Sequence, residues 1–342
     1  MIRLALRLAA VLTAILPLAA HADDGAVVLI YHRFGEAQHP STSVTLTQFE
    51  RQLAAIRDGG YTVLPLPELV RMLADGTPVP SRSVAITIDD AYVSTVTEAW
   101  PRLRAHGYPF TLFVSTDAAD AGTGDLMSWD QIRAMAADPL VTIGHHGAAH
   151  AHMAALSMAE AAADLDRADQ RFRSELGHVP ALFAYPYGEY GAALRAMVAA
   201  RGFTAAFGQH SGVADRWTDR FVLPRFALNA GTSHEDFLLR LAAMPLPAEE
   251  VQPAETLVPE GTVPPLLSFR LVEPSDEGGP LRPEALNCFL DGSPLVVSVA
   301  GDRVTAPLPA SFRPGRTRLN CTMPAAGGRF RWLGMQFYRP PA

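Results

Sequence analysis

Two adjacent carboxylates, Asp89 and Asp90, end the apolar run Val84-Ala85-Ile86-Thr87-Ile88. Neighbouring side chains at a strand end diverge, so one carboxylate can ligate a metal while the other stays free to take a proton. Asp90 could equally cap a following helix. Further along, His146 and His150 follow Val141-Thr142-Ile143-Gly144. Their i, i+4 spacing predicts one shared face of a helical turn. Two His plus one Asp make a three-ligand set that leaves a position open for water, as in catalytic zinc sites. His145 and His152 stand nearby, neither with a His four residues on. Taken alone, the segment also reads as an exposed His-rich loop. A third run ends in Tyr185-Pro186-Tyr187-Gly188, where Pro and Gly fix the loop. The Tyr187 amide is there a candidate donor to a developing oxyanion, although a plain turn uses the same residues.

Composition narrows the chemistry. The 342 residues, 49% hydrophobic and 18% charged, suffice for a full core and two domains. The 28 basic residues are all Arg, against 35 acidic ones, for a net charge of -7. That balance argues against nucleic acid as a partner. Without Lys there is no Schiff base, no pyridoxal phosphate attachment and no P-loop. With only Cys288 and Cys321, a Cys-ligated zinc site, an iron–sulfur cluster and a Cys-x-x-Cys redox pair are excluded within one chain.

Residues 1–22 read as a secretory signal: Arg3 and Arg7, the apolar run Leu8 to Leu18, then Ala20-His21-Ala22. The uncharged run is shorter than the roughly 20 residues a membrane span needs, so no stable span is expected after cleavage. The expected location is exported, periplasmic or secreted. In such an oxidising compartment Cys288 and Cys321 are expected to pair.

The elements that must position these residues are visible between Ala26 and Phe226. Short apolar runs (Ala26–Tyr31, Tyr61–Leu64, Ser83–Ile88, Phe110–Val114, Leu140–Ile143, Ala181–Tyr185, Phe203–Phe207, Phe221–Phe226) alternate with amphipathic stretches. Runs without clean alternation suit parallel strands covered on both faces. Thr47-Gln48-Phe49-Glu50, Ser128-Trp129-Asp130-Gln131 and Ser157-Met158-Ala159-Glu160 read as capping boxes. The pattern favours an α/β fold, a closed or nearly closed (β/α) barrel of about seven strands over residues 23–244, ahead of an open doubly wound sheet. A helix is expected from His234 to Met244, a Pro/Glu-rich linker over 245–265, and a small β-sandwich over 266–342 with the two Cys as its brace.

The motifs together resemble those of the NodB-homology polysaccharide deacetylases, carbohydrate esterase family 4. Thr87-Ile88-Asp89-Asp90-Ala91 is similar to their first motif, Gly144-His145-His146-Gly147-Ala148-Ala149-His150 to the second, and Tyr185-Pro186-Tyr187-Gly188 to the core of the third. Leu29-Ile30-Tyr31-His32 and the segment Phe49 to Leu69 look most like the exported poly-N-acetylglucosamine deacetylase branch. The resemblance implies a distorted (β/α) barrel. It implies a divalent metal, zinc first, on Asp90, His146 and His150, with Asp89 as base for a metal-bound water that attacks the acetyl carbonyl. The Tyr187 amide would stabilise the oxyanion. An acetylated glycan, N- or O-linked, is the implied partner.

Three departures matter. Ala91 replaces a Gly, Gly147 replaces a Ser or Thr, and Ala184 stands where the third motif has the Arg that orients the base. Arg225, in Leu223-Pro224-Arg225-Phe226, is the candidate to supply that charge. No clean fourth or fifth motif is visible, so His210 is the candidate general acid, and His32 and Trp217 are candidate substrate contacts. The missing Arg also leaves open a catalytically degenerate member that binds a glycan without cleaving it.

Overall fold

The structure, a computed structural model, describes residues 22–262 and 266–341; the expected signal segment lies outside them except for Ala22. Nine strands build the first layer: β1 Gly25–Tyr31, β2 Thr62–Val63, β3 Ser83–Asp89, β4 Phe110–Val114, β5 Val141–His145, β6 Leu182–Ala184, β7 Ala205–Phe207, β8 Ala214–Asp215 and β9 Phe226–Ala227. Every residue of β1, β3 and β4 is buried, which is why these runs are apolar without alternation. The parallel order is β7-β6-β5-β4-β3-β1, with β2 on β3 and β9 on β1. Leu223 bridges Phe207 of β7 while Phe226 pairs with Leu29 of β1, so one extended segment links both edges of the curled sheet. The barrel is distorted, as expected.

Eight helices cover it: α1 Leu46–Asp58, α2 Leu66–Asp75, α3 Trp100–His106, α4 Thr116–Ala121, α5 Trp129–Ala136, α6 Met158–Leu176, α7 Ala192–Ala200 and α8 His234–Leu241. Ser128 with Gln131 and Ser157 with Glu160 form capping boxes on α5 and α6. The box of α1 starts two residues before the expected one, at Thr45 with Gln48. No helix among the described residues is long and apolar enough to cross a membrane.

Of the expected linker 245–265, the described residues 245–262 are not a solvated spacer. β10 Met244–Pro245 and β11 Ala248–Gln252 are strands, and Leu246, Ala248 and Val258 are buried in the second core. Pro245 and Pro253 fall at or just past strand ends, and Glu249 and Glu250 point away from that core, so the composition hid a strand. The rest of this β-rich region comprises β12 Leu267–Leu271, β13 Asn287–Leu290, β14 Ser293–Pro294, β15 Ser298–Ala300, β16 Arg303–Ala306, β17 Gly315–Pro324 and β18 Phe330–Arg339. These form sheets of order β10-β18-β17-β13-β14 and β11-β12-β16-β15. Cys288 and Cys321 are disulfide-bonded across β13 and β17, within one sheet.

The paired strands β17 and β18 divide their side chains between two cores. Thr317, Leu319, Cys321 and Phe337 are buried, the last three in the sandwich core, while Arg316, Arg318, Gln336 and Tyr338 occupy the alternate positions. Gly334 packs so closely on the barrel that a Cβ there would lie 1.7 Å from the Ser211 carbonyl oxygen. Trp332 sets its ring perpendicular to Phe226 of β9 at 5.1 Å.

Candidate metal centre and catalytic site

At the end of β3 the chain turns left-handed, with φ of 75° at Asp90 and 53° at Ala91. This puts Asp90 Oδ1 3.4 Å from His146 Nε2 and 3.1 Å from His150 Nε2. His146 follows β5, and its Nδ1 lies 2.7 Å from the Ala184 carbonyl oxygen. With Nδ1 donating there, Nε2 is an acceptor that faces a second acceptor. Both Asp90 Oδ1 and His146 Nε2 are buried without a hydrogen-bond partner. Acceptors converging in a buried spot fit a cation, and the donor set is that of a catalytic zinc site.

The shared face of His146 and His150 does not come from a helical turn. Gly147 has φ 76° and His150 φ 51°, so the segment is a loop. Asp164 of α6 holds it, accepting from the amides of Ala148 at 2.8 Å and Ala149 at 3.0 Å. A Cβ on Gly147 would approach that carboxylate to 3.0 Å. Asp164 carried no sequence signal, being one of several acids on α6. His145 points the other way, into Phe172, Phe183 and Phe203, with Asp169 at 3.3 Å.

Asp89, fully buried, receives two hydrogen bonds from Arg225, at 2.8 and 2.9 Å. Arg225 also donates to Thr87 Oγ1 and the Gly208 carbonyl. Burial alone would push the Asp89 carboxyl up; the guanidinium, and then His146, bring it below the usual carboxylate range. Asp89 Oδ2 stands 3.9 Å from His146 Nε2.

Tyr187 closes the site on a third side. Its φ is 58°, and its ring lies 4.5 Å from that of His150 and stacks on His152 at 4.1 Å. Gln336 of β18 donates to the carbonyls of Tyr187 (3.1 Å) and Gly188 (3.0 Å), and Arg316 of β17 to that of Tyr187 (3.3 Å). Nothing in the sequence pointed to a contact 149 positions away.

His32 follows β1 and feels, in order after burial, the charges of Asp90, Asp89, Arg225 and His146; burial prevails and holds its imidazole below the usual range. Its Nδ1 is shielded and unpartnered. His210 does not join the triad. It lines a separate cavity of about 200 Å³ with Tyr190, Asp215, Trp217 and Trp332. Burial, then Arg225, pushes its imidazole down to about 4. Trp217 is misplaced as a substrate wall. It follows β8, which pairs with Gly25 and Ala26 at the start of β1, whereas the triad lies at the strands' carboxyl ends. In a second group, Glu36, His39 and Asp125, both carboxylates are already bridged by Arg33.

The sequence profile described as Polysaccharide deacetylase matches residues 76–206, the stretch holding Asp89, Asp90, His146, His150 and Tyr187. Residues 76–206 are therefore similar to a polysaccharide deacetylase domain. The chain is 27% identical over 138 residues to the poly-beta-1,6-N-acetyl-D-glucosamine N-deacetylase of Escherichia coli (strain K12), covering 36% of this chain and 20% of that one. Its structure is similar to IcaB from Ammonifex degensii, with a TM-score of 0.56 and 26% identity over 65% of this chain and 97% of that one. It is also similar to the Streptococcus pyogenes deacetylase PplD in complex with acetate, with a TM-score of 0.58 and 20% identity over 64% and 98%. These likenesses span the barrel.

Proposed function

We propose that the protein is an exported, metal-dependent deacetylase of an N-acetylglucosamine polymer. The observation that carries this reading is the juxtaposition of an Arg-clamped Asp89 with the Asp90–His146–His150 set. A divalent ion there, zinc by the chemistry of the donors, supplies Lewis acidity to the acetyl carbonyl and to water.

The chain's own groups do the rest. Asp89, kept ionised by Arg225, takes the proton of the water that adds to the carbonyl carbon. The Tyr187 amide is the candidate donor to the oxygen that gains charge, on a loop fixed by Gln336 and Arg316. As the carbon–nitrogen bond breaks, the proton taken by Asp89 passes to the leaving amine, with His32 the candidate relay; acetate and a free amino sugar result. Arg225 beside Asp89 supports turnover over a binding-only role, because the charge absent at Ala184 is furnished from elsewhere.

The test is acetate release from β-1,6- and β-1,4-linked N-acetylglucosamine oligomers and from acetylated xylan. Release from the amino-sugar oligomers, abolished by a chelator and restored by zinc, is expected. One bound metal with no acetate from any polymer would favour the binding-only reading.

A further inference from the structure

Beside the catalytic site, a cleft of about 410 Å³ opens between the barrel and the β-rich region, lined by His152, Glu189, Asp291, Arg316, Arg318 and Tyr338. Its floor is a run of near-parallel rings: Tyr187 on His152 at 4.1 Å, and His152 facing Tyr338 at 5.9 Å. Tyr187 contacts both the cleft and the metal set, its ring 4.5 Å from that of His150 and 5.9 Å from the Arg316 guanidinium.

The two carboxylates bordering the cleft already have donors. Glu189 Oε2 lies 2.7 Å from His152 Nδ1 and Oε1 3.9 Å from Arg316 Nε. Asp291 accepts from the Arg318 amide at 2.8 Å and from Arg313 at 3.1 Å. Arg318 is different: its guanidinium makes no hydrogen bond or ion pair among the described residues. Both arginines are exposed on their strand, and the charge of Arg316 works against that of Arg318 while Asp291 favours it. Residues 316 and 318 lie on one face of β17, about 7 Å apart. Two guanidinium groups so close, one of them bonded to no acceptor and with only Asp291 opposing its charge, offer donors that one anion can reach from both.

We infer that Arg316 and Arg318 form an anion subsite for the sugar next to the one deacetylated, so that the preferred substrate is an acidic glycan. The inference rests on the deacetylase reading and narrows its substrate class to chains bearing a carboxylate or a phosphate near the N-acetyl unit.

Calorimetric binding to the metal-loaded full chain tests this. The probes are a neutral N-acetylglucosamine hexamer, a hexamer alternating N-acetylglucosamine with glucuronate, and a phosphorylated N-acetylglucosamine hexamer. The acidic probes are expected to bind about tenfold tighter than the neutral one at low salt. That advantage should shrink with salt and fall below about threefold in Arg318→Gln. Whichever acidic probe leads identifies the anion. Equal affinities in the wild type, or an advantage kept in a folded Arg318→Gln, overturn the subsite; if that variant does not fold, the wild-type salt series decides. Acetate release is scored separately. Preferential binding without acetate removes the deacetylase reading and keeps the subsite, whereas acetate without preference does the reverse.

Discussion

Arg225 grips Asp89 through two hydrogen bonds, 2.8 and 2.9 Å long, with both side chains fully buried. The carboxylate proposed to take the proton and the guanidinium that keeps it ionised are 136 positions apart in sequence.

Removing the guanidinium leaves burial of Asp89 opposed only by His146 and His32, which raises its pKa. Arg225→Gln should therefore move the acid limb of kcat/KM to higher pH, since the base becomes protonated sooner as pH falls. Breaking a buried pair costs about 3–5 kcal/mol, so melting temperature is measured alongside. A pH profile unchanged in a folded variant contradicts this role.

His32 and His210 separate in the same assay. His32 sits among the charges of Asp89 and Asp90, while His210 lies in the other cavity. His32→Ala should lower kcat by about 10²-fold, with His210→Ala within about threefold of the wild type.

Ala91 is a buried alanine at φ 53°, where an L-residue is strained by about 1–2 kcal/mol. Ala91→Gly relieves that strain and should leave stability unchanged within about 0.5 kcal/mol. Ala85→Gly, inside β3, should cost about 1 kcal/mol or more. Denaturant midpoints for the two variants decide.

Gln336 fixes the Tyr187 loop from the β-rich region. Gln336→Leu leaves two carbonyls without that donor and should reduce kcat by about tenfold while KM and metal stoichiometry hold. A loss of metal instead would mean that the loop supports the triad rather than the oxyanion.

The barrel was legible because β1, β3 and β4 are buried on both faces, and the triad because its residues lie at strand ends. The loop at His146–His150 was misread because i, i+4 spacing alone does not distinguish a helical turn from a left-handed Gly147 and His150. Trp217 was misread because the antiparallel β8 reverses which end of the barrel its flank reaches. The strand within 245–265 was masked by its prolines, and the reach of Gln336 to Tyr187 is a tertiary contact with no local trace. Arg225 was found by position at a strand end, and the geometry adds the partner.

The most direct measurement is acetate release by metal-loaded Asp89→Asn, with bound zinc quantified beside the wild type and His146→Ala. Asp89→Asn should keep one zinc and lose turnover by about 10³-fold or more, while His146→Ala loses the zinc itself. Turnover near the wild-type rate in zinc-loaded Asp89→Asn would contradict the assignment of Asp89 as the base.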